Sequence, residues 1–286
     1  MDKRFLLISG LLLSAQPGAL ALAQTETDTA VLPEAETETR FSPLKGLTLD
    51  LNVTNSSPEN ISGLALEYTY KRSINGDYRQ WGDDVAQLWL PRAKLEANGS
   101  VALVDENPQD FSNVTLDLGA EVQSFLSETA IYEVGAFYSE EGDEGFDNNQ
   151  SVYGATMAFA DTNTLLAKDD LVFRLSYGSV DPSGDEQRKQ LLGDALEDFD
   201  RVHMRIEYSV RLAPTSTVKK VELTYNEYRE MDAPMQIRDA DLDQYTYSTI
   251  ALYLPNNLAL TFGKGSLPFD REGDRIVQLG YQMQTW

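Results

Sequence analysis

The chain has 286 residues and carries 46 acidic against 23 basic side chains, a formal charge of −23, with no cysteine. Such acidity argues against a nucleic-acid partner, because phosphate binding wants cationic surface. The missing cysteines exclude a disulfide framework, thiolate metal sites and a lipid-bearing cysteine, so an exported protein of this size must rely on its sheet for stability.

At the amino terminus, Asp2, Lys3 and Arg4 precede the apolar run Phe5 to Leu13, and Ala21-Leu22-Ala23 follows before Gln24. Basic residues, a short greasy core and small residues make a signal peptide over 1–23, with cleavage after Ala23. Residues 24–45, rich in Thr and Glu and interrupted by Pro33, read as a disordered acidic leader. No later stretch approaches 18 uncharged apolar residues, so the membrane route left is a closed sheet rather than a helix.

From Gly46 onward the apolar residues recur at every second position, and successive strand side chains point to opposite faces. Leu47, Leu49, Leu51 and Val53 make the first such face, and Leu64, Leu66, Tyr68 and Tyr70 the next, followed by the turn-rich Ser73 to Asp84. Val85 to Leu90 and Val101 to Val104 read as two strands around a hairpin at Ala97-Asn98-Gly99, with Pro91 weakening the first. Then come Val114 to Val122, Ala130 to Tyr138, Tyr153 to Phe159 and Leu171 to Tyr177. Asp200 to Leu212 is the fullest run, with Val202, Met204, Ile206, Tyr208, Val210 and Leu212 on one face and Arg201, His203, Arg205, Glu207, Ser209 and Arg211 on the other. Val221 to Tyr225, an ambiguous tyrosine-rich run from Tyr245 to Leu254, Leu258 to Phe262 and Val277 to Met283 complete the series.

Transmembrane strands need about 9–11 tilted residues, longer than the usual globular strand. Short turns at 124–128, 161–164, 213–216 and 255–257 alternate with longer polar segments at 140–150, 181–198, 230–241 and 265–274, the asymmetry of a membrane barrel. The expected fold is all-β, an antiparallel up-and-down transmembrane β-barrel of about 12 strands over 46–286, in the outer membrane. Every alternating segment together gives thirteen, and single-chain bacterial barrels are even. Leu47–Val53 is then surplus, inside the lumen, across the base, or replacing a weak strand near Pro91. The terminal Trp286 is similar to the carboxy-terminal assembly signal of such barrels.

The early segments LNV at Leu51–Val53, GLAL at Gly63–Leu66, GDDVA at Gly82–Ala86 and LWLP at Leu88–Pro91 resemble the small outer-membrane barrels of the YfaZ family. The resemblance covers about forty residues of strand and turn chemistry. It implies location rather than activity, and the family has no catalytic motif to carry over; this chain also departs from it in having more strands and in ending in Trp rather than Phe.

Function would live on the polar face. Asp117, Glu121, Glu133, Arg174, Arg201, His203, Arg205, Glu207, Arg211 and Glu222 all fall on lumen-facing positions, interleaved with glycines that leave room. Arg174, Arg201, Arg205 and Arg211 on adjacent strands, with Glu207 and Glu222 in cross-strand reach, can form a charge ladder that selects solutes. Equally, the charges can pair across strands and fill the barrel, since an unpaired charge in a narrow bore is costly. His203 is the sole histidine, so any hydrolase of the Ser-His type must use it; Ser209 is too distant, and Ser176 lacks a marked third partner, which favours a plain lumen residue.

Gly184 to Phe199 places Leu191, Leu192, Ala195, Leu196 and Phe199 at helical spacing, a short external helix that either caps the adjoining strands or folds over the mouth. The acids Glu140, Glu141, Asp143, Glu144 and Asp147 read as a solvated loop without calcium-loop spacing. The functional expectation is a monomeric passive channel for small hydrophilic solutes, without cofactor, metal or covalent step. Its partners would be outer-membrane lipids and the assembly machinery. The rival is a non-conducting structural or surface-interaction barrel; an outer-membrane hydrolase and a soluble periplasmic β-protein are further alternatives.

Overall fold

The structure, a computed structural model, describes residues 46–57, 62–76, 79–80, 88–103, 111–123, 129–162, 164–166, 168–265, 267–269 and 274–283. The expected signal peptide and leader, the GDDVA segment and Trp286 lie outside them. The strands are β1 (Leu47–Ser57), β2 (Ser62–Asn75), β3 (Arg79–Gln80), β4 (Leu88–Ala102), β5 (Ser112–Gln123), β6 (Ile131–Gly142) and β7 (Asn149–Thr162). They continue as β8 (Asp169–Gly184), β9 (Phe199–Arg211), β10 (Lys220–Glu230), β11 (Gln244–Tyr253), β12 (Leu258–Gly265) and β13 (Asp274–Met283), with α1 (Glu186–Leu192) between β8 and β9 and α2 (Met235–Asp239) between β10 and β11.

Each stave pairs antiparallel with its neighbours, β1 with β13, and β2 with β4, which closes the sheet. The two-residue β3 pairs only with the start of β4 and is not a stave. The result is a closed 12-strand antiparallel barrel. Both β1 and β13 have their outer chain ends at one rim, called the lower end below.

Burial runs opposite to that of a water-soluble protein. Leu118, Val134 and Met157 are 56%, 54% and 52% exposed in mid-strand, whereas Asn226, Thr54 and Gln278 are at most 2% exposed. Apolar side chains left outside in a continuous belt, with polar ones sealed inside, need a hydrocarbon solvent around the barrel. Tyrosines edge the belt: Tyr177 donates its hydroxyl to Asp200, and Tyr138 to Glu140, near the upper end, while Tyr132 packs on Phe159 at 5.2 Å towards the lower end. Aromatic rings at two levels mark the membrane interfaces of such barrels.

Two sequence expectations are corrected. No hairpin turns at Asn98-Gly99; β4 runs through it, with Asn98 paired to Thr69 and Asn113 on its two sides. Tyr68 lies directly across from Gly99, and a side chain there would strike the tyrosine ring. That ring supplies apolar surface the glycine lacks. Merging the two supposed strands removes the odd count, so Leu47–Val53 is not surplus: β1 is a full stave between β2 and β13. The loop asymmetry holds at the β8–β9 and β10–β11 connections, but the expected long segment at 140–150 is a short connection over 143–148, no longer than the lower turns 124–130 and 212–219; the 76–87 connection at the lower end is long and the 58–61 connection at the upper end is short.

Candidate functional site

The lumen is crossed by ion pairs between strands that are not neighbours. Arg174 on β8 reaches over β7 and β6 to Asp117 on β5, 3.3 Å away, with Glu133 on β6 at 3.9 Å. Arg92 on β4 lies between Glu121 on β5 and Glu133, paired with both. Arg201 on β9 reaches Glu141 on β6 at 2.6 Å. Lys94 holds Glu96 at 2.7 Å, Arg205 pairs with Glu207, and Lys220 with Glu222. Strand tilt and stagger bring these groups to common levels, as closure of any barrel requires. These charges therefore stand in the bore as pairs rather than as a free ladder.

Arg211 departs from the ladder. It sits at the lower rim, 59% exposed, 3.7 Å from Asp170. Not every lumen glycine leaves open room. A side-chain carbon at Gly178 would sit 3.2 Å from the Phe137 ring, and Gly263 yields its space to Tyr247. His203 stacks on Tyr228 with ring centroids 3.9 Å apart and 5° between planes, and its Nε2 is 3.4 Å from Asn226 Oδ1. Ser176, the β8 residue opposite His203, donates instead to Thr156 at 3.1 Å. Among the described residues the histidine thus has an amide and a ring as partners, and no serine or threonine hydroxyl hydrogen-bonds to it.

Above this layer the upper mouth is occupied by an apolar core. Phe111, Ala233, Ile237, Leu242 and Leu267 come from connecting segments, and Tyr228, Tyr245, Tyr247 and Ile276 from inward strand positions. Ile237 and Leu267 are fully buried. Arg188 of α1 ties the cap together: it pairs with Glu230 at 2.8 Å and Asp185 at 3.5 Å, donates to the Leu242 carbonyl at 2.9 Å, and lies over the Phe199 ring at 4.1 Å. Asp185 also caps α1 by accepting from the backbone of Gln187 and Arg188. The expected external helix exists, but its buried contact is Arg188. Leu191 of the supposed apolar stripe is 40% exposed, and the helix gives way to a 3₁₀ turn over Gly193–Ala195.

The acidic loop differs from expectation as well. Glu140 and Glu141 belong to β6, and Glu141 is buried against Arg201. Asp143 is buried too, its carboxylate accepting from the backbone of Asp147 at 2.8 Å and Asn148 at 3.2 Å, which shapes a tight turn. Among the described residues no group of three or more His, Cys, Asp or Glu is placed to hold a metal.

Beneath the cap lies a chamber of about 80 Å³, bordered by Arg174, Arg201, Arg205, His203, Tyr228 and Asp117 among others. A smaller void of about 20 Å³ lies beside Arg92 and the facing glycines Gly119 and Gly135. The residues missed from sequence were Arg92, Lys94 and Glu96, whose every-second-position spacing on β4 was readable but was broken by the false hairpin, together with Tyr228, Glu141 and Arg188.

No family model matches the chain, and no curated protein matches it. Solved structures similar in fold include the NanC porin, at 13% identity over 81% of this chain and 97% of that one, TM-score 0.43. Another is the outer membrane phospholipase of Salmonella typhi, a dimer with bound calcium, at 8% identity over 87% and 95%, TM-score 0.48. A third is OccK11 of Pseudomonas aeruginosa, at 10% identity over 84% and 95%, TM-score 0.37.

Proposed function

We propose that the chain is an outer-membrane barrel that rests shut, a structural or surface barrel rather than a standing pore, and works without cofactor or covalent chemistry. The observation that carries this is the packed cap in the upper mouth, pinned by Arg188 over a lumen filled with paired charges. The exposed apolar belt supports direct contact with membrane lipids, and the outer ends of β1 and β13 at the lower rim support an upper end that faces outward, as in bacterial barrels generally. Insertion by the outer-membrane assembly machinery and a monomeric state belong to the same reading.

A passive channel for small hydrophilic solutes is the second reading, favoured by the polar lining of the chamber under the cap. Planar-bilayer recording of the refolded mature protein separates the two. The closed reading expects a silent bilayer from protein that inserts correctly; steady ohmic steps from the unmodified chain would overturn it in favour of the channel.

A further inference from the structure

The chamber under the cap has an unusual charge arrangement. Arg174 on β8 and Arg205 on β9 are direct cross-strand partners, both facing the lumen, and Arg201 lies on the same face of β9. Like charges set directly opposite each other repel, and the acids beside them, Asp117 and Glu133 on Arg174 and Glu207 on Arg205, offset that repulsion only from the flanks. The carboxylates around the chamber are largely engaged: Asp117 with Arg174, Glu141 with Arg201, and Glu96 with Lys94. Glu207 forms an ion pair with Arg205 on the Nε side, but neither Nε nor Nη2 of Arg205 makes a hydrogen bond, and Oε1 of Glu96 on the same chamber wall also makes none. A buried guanidinium N–H without an acceptor is rare enough in folded proteins to call for an ion or ordered water. Nearby, Asn226 is fully buried and its Nδ2 also lacks an acceptor, while its Oδ1 faces His203.

We propose that this chamber is a binding site for a small carboxylate, held by Arg205 with Arg174 and Arg201 around it. A guanidinium presents its donors as a planar fork that matches two carboxylate oxygens, and the match is strongest away from bulk water. The chamber, about 80 Å³, has room for a small organic acid. The stacked His203 and Tyr228 rings give the chamber a flat wall on the cap side. The site is independent of whether the barrel ever conducts, since the ligand is held rather than passed on.

The test is thermal unfolding of the detergent-refolded mature chain, equilibrated with acetate at constant ionic strength, with acetamide as the neutral isostere. Acetate should raise the unfolding midpoint saturably, with half-effect in the millimolar range, and acetamide should not. Arg205→Gln should abolish the saturable shift while keeping the heat-modifiable gel migration of a folded barrel, and Arg205→Lys should weaken it at least tenfold. Should Arg205→Gln fail to fold, the wild-type comparison of acetate with acetamide still decides. Equal shifts for acetate and acetamide, a linear unsaturating response, or full binding by folded Arg205→Gln would each leave water as the chamber's occupant and overturn the proposal.

Discussion

Arg188→Ala is the perturbation that bears most directly on the cap. Arg188 and Glu230 have side chains 5% and 2% exposed, so the pair is desolvated on both sides. Removing one member of a buried pair leaves the other uncompensated, a loss of about 3–5 kcal/mol. The hydrogen bond to Leu242 and the stacking on Phe199 go with it. The twelve-stave sheet does not depend on this contact, so the loss falls on the cap. At a factor of ten per 1.4 kcal/mol, the population with the cap displaced rises by about a hundred- to several-thousand-fold. Hydrogen exchange of peptides covering 231–243, measured in detergent, reads this as faster exchange around Ile237 and Leu242, while strand peptides stay protected. Adding Glu230→Gln to Arg188→Ala should restore part of the protection, because the orphaned carboxylate is gone. If exchange over 231–243 is unchanged in a folded Arg188→Ala barrel, the pin assignment is wrong.

Four further outcomes are expected. Ile237→Ala, at a fully buried position, should cost the cap about 2–5 kcal/mol and expose 231–243 to limited proteolysis, with the barrel band on a gel unchanged. Leu118→Arg, outward and in mid-strand, should lower stability by about 2–4 kcal/mol in urea unfolding from lipid vesicles, whereas in a soluble protein so exposed a position would tolerate the change. Asp117→Asn should loosen Arg174 and lower the unfolding free energy in urea by roughly 1–3 kcal/mol, with the equivalent change at the half-buried Asp170, whose partner Arg211 is exposed, near neutral. A short peptide inserted between Asn98 and Gly99 should block refolding, while the same insert at 214–216 should be accepted, because the first site is mid-strand and the second a turn.

The staves were readable because the lipid-facing positions of most strands carry large apolar residues in strict alternation, as on β9. On β4 that signal fails: its outward positions include Pro91, Ala93, Ala97 and Gly99, small residues whose surface is completed by a neighbour such as Tyr68. Asn-Gly then imitated a turn, split one strand into two and displaced the count. That lumen charges would be paired was foreseeable from the cost of burying them alone. Which acid meets which base was not, because partners such as Arg174 and Asp117 are joined by tilt across intervening strands rather than by spacing along the chain. The cap left still less trace. Ala233, Ile237, Leu242 and Leu267 are scattered over two connections with no period, and Arg188, a charged helix residue, gives no sign of being buried.

The absence of cysteine makes the decisive measurement clean. Single cysteines at Leu116, Asp117, Leu118, Val134 and Ala136, labelled with a small fluorophore in vesicles containing brominated lipid, report which side of the wall each position faces. Strong quenching at Leu116, Leu118, Val134 and Ala136, with little at Asp117, is the outcome expected of apolar flanks turned to hydrocarbon around a filled polar interior. Quenching that does not alternate along the strand, or that is stronger at Asp117 than at its neighbours, would contradict it.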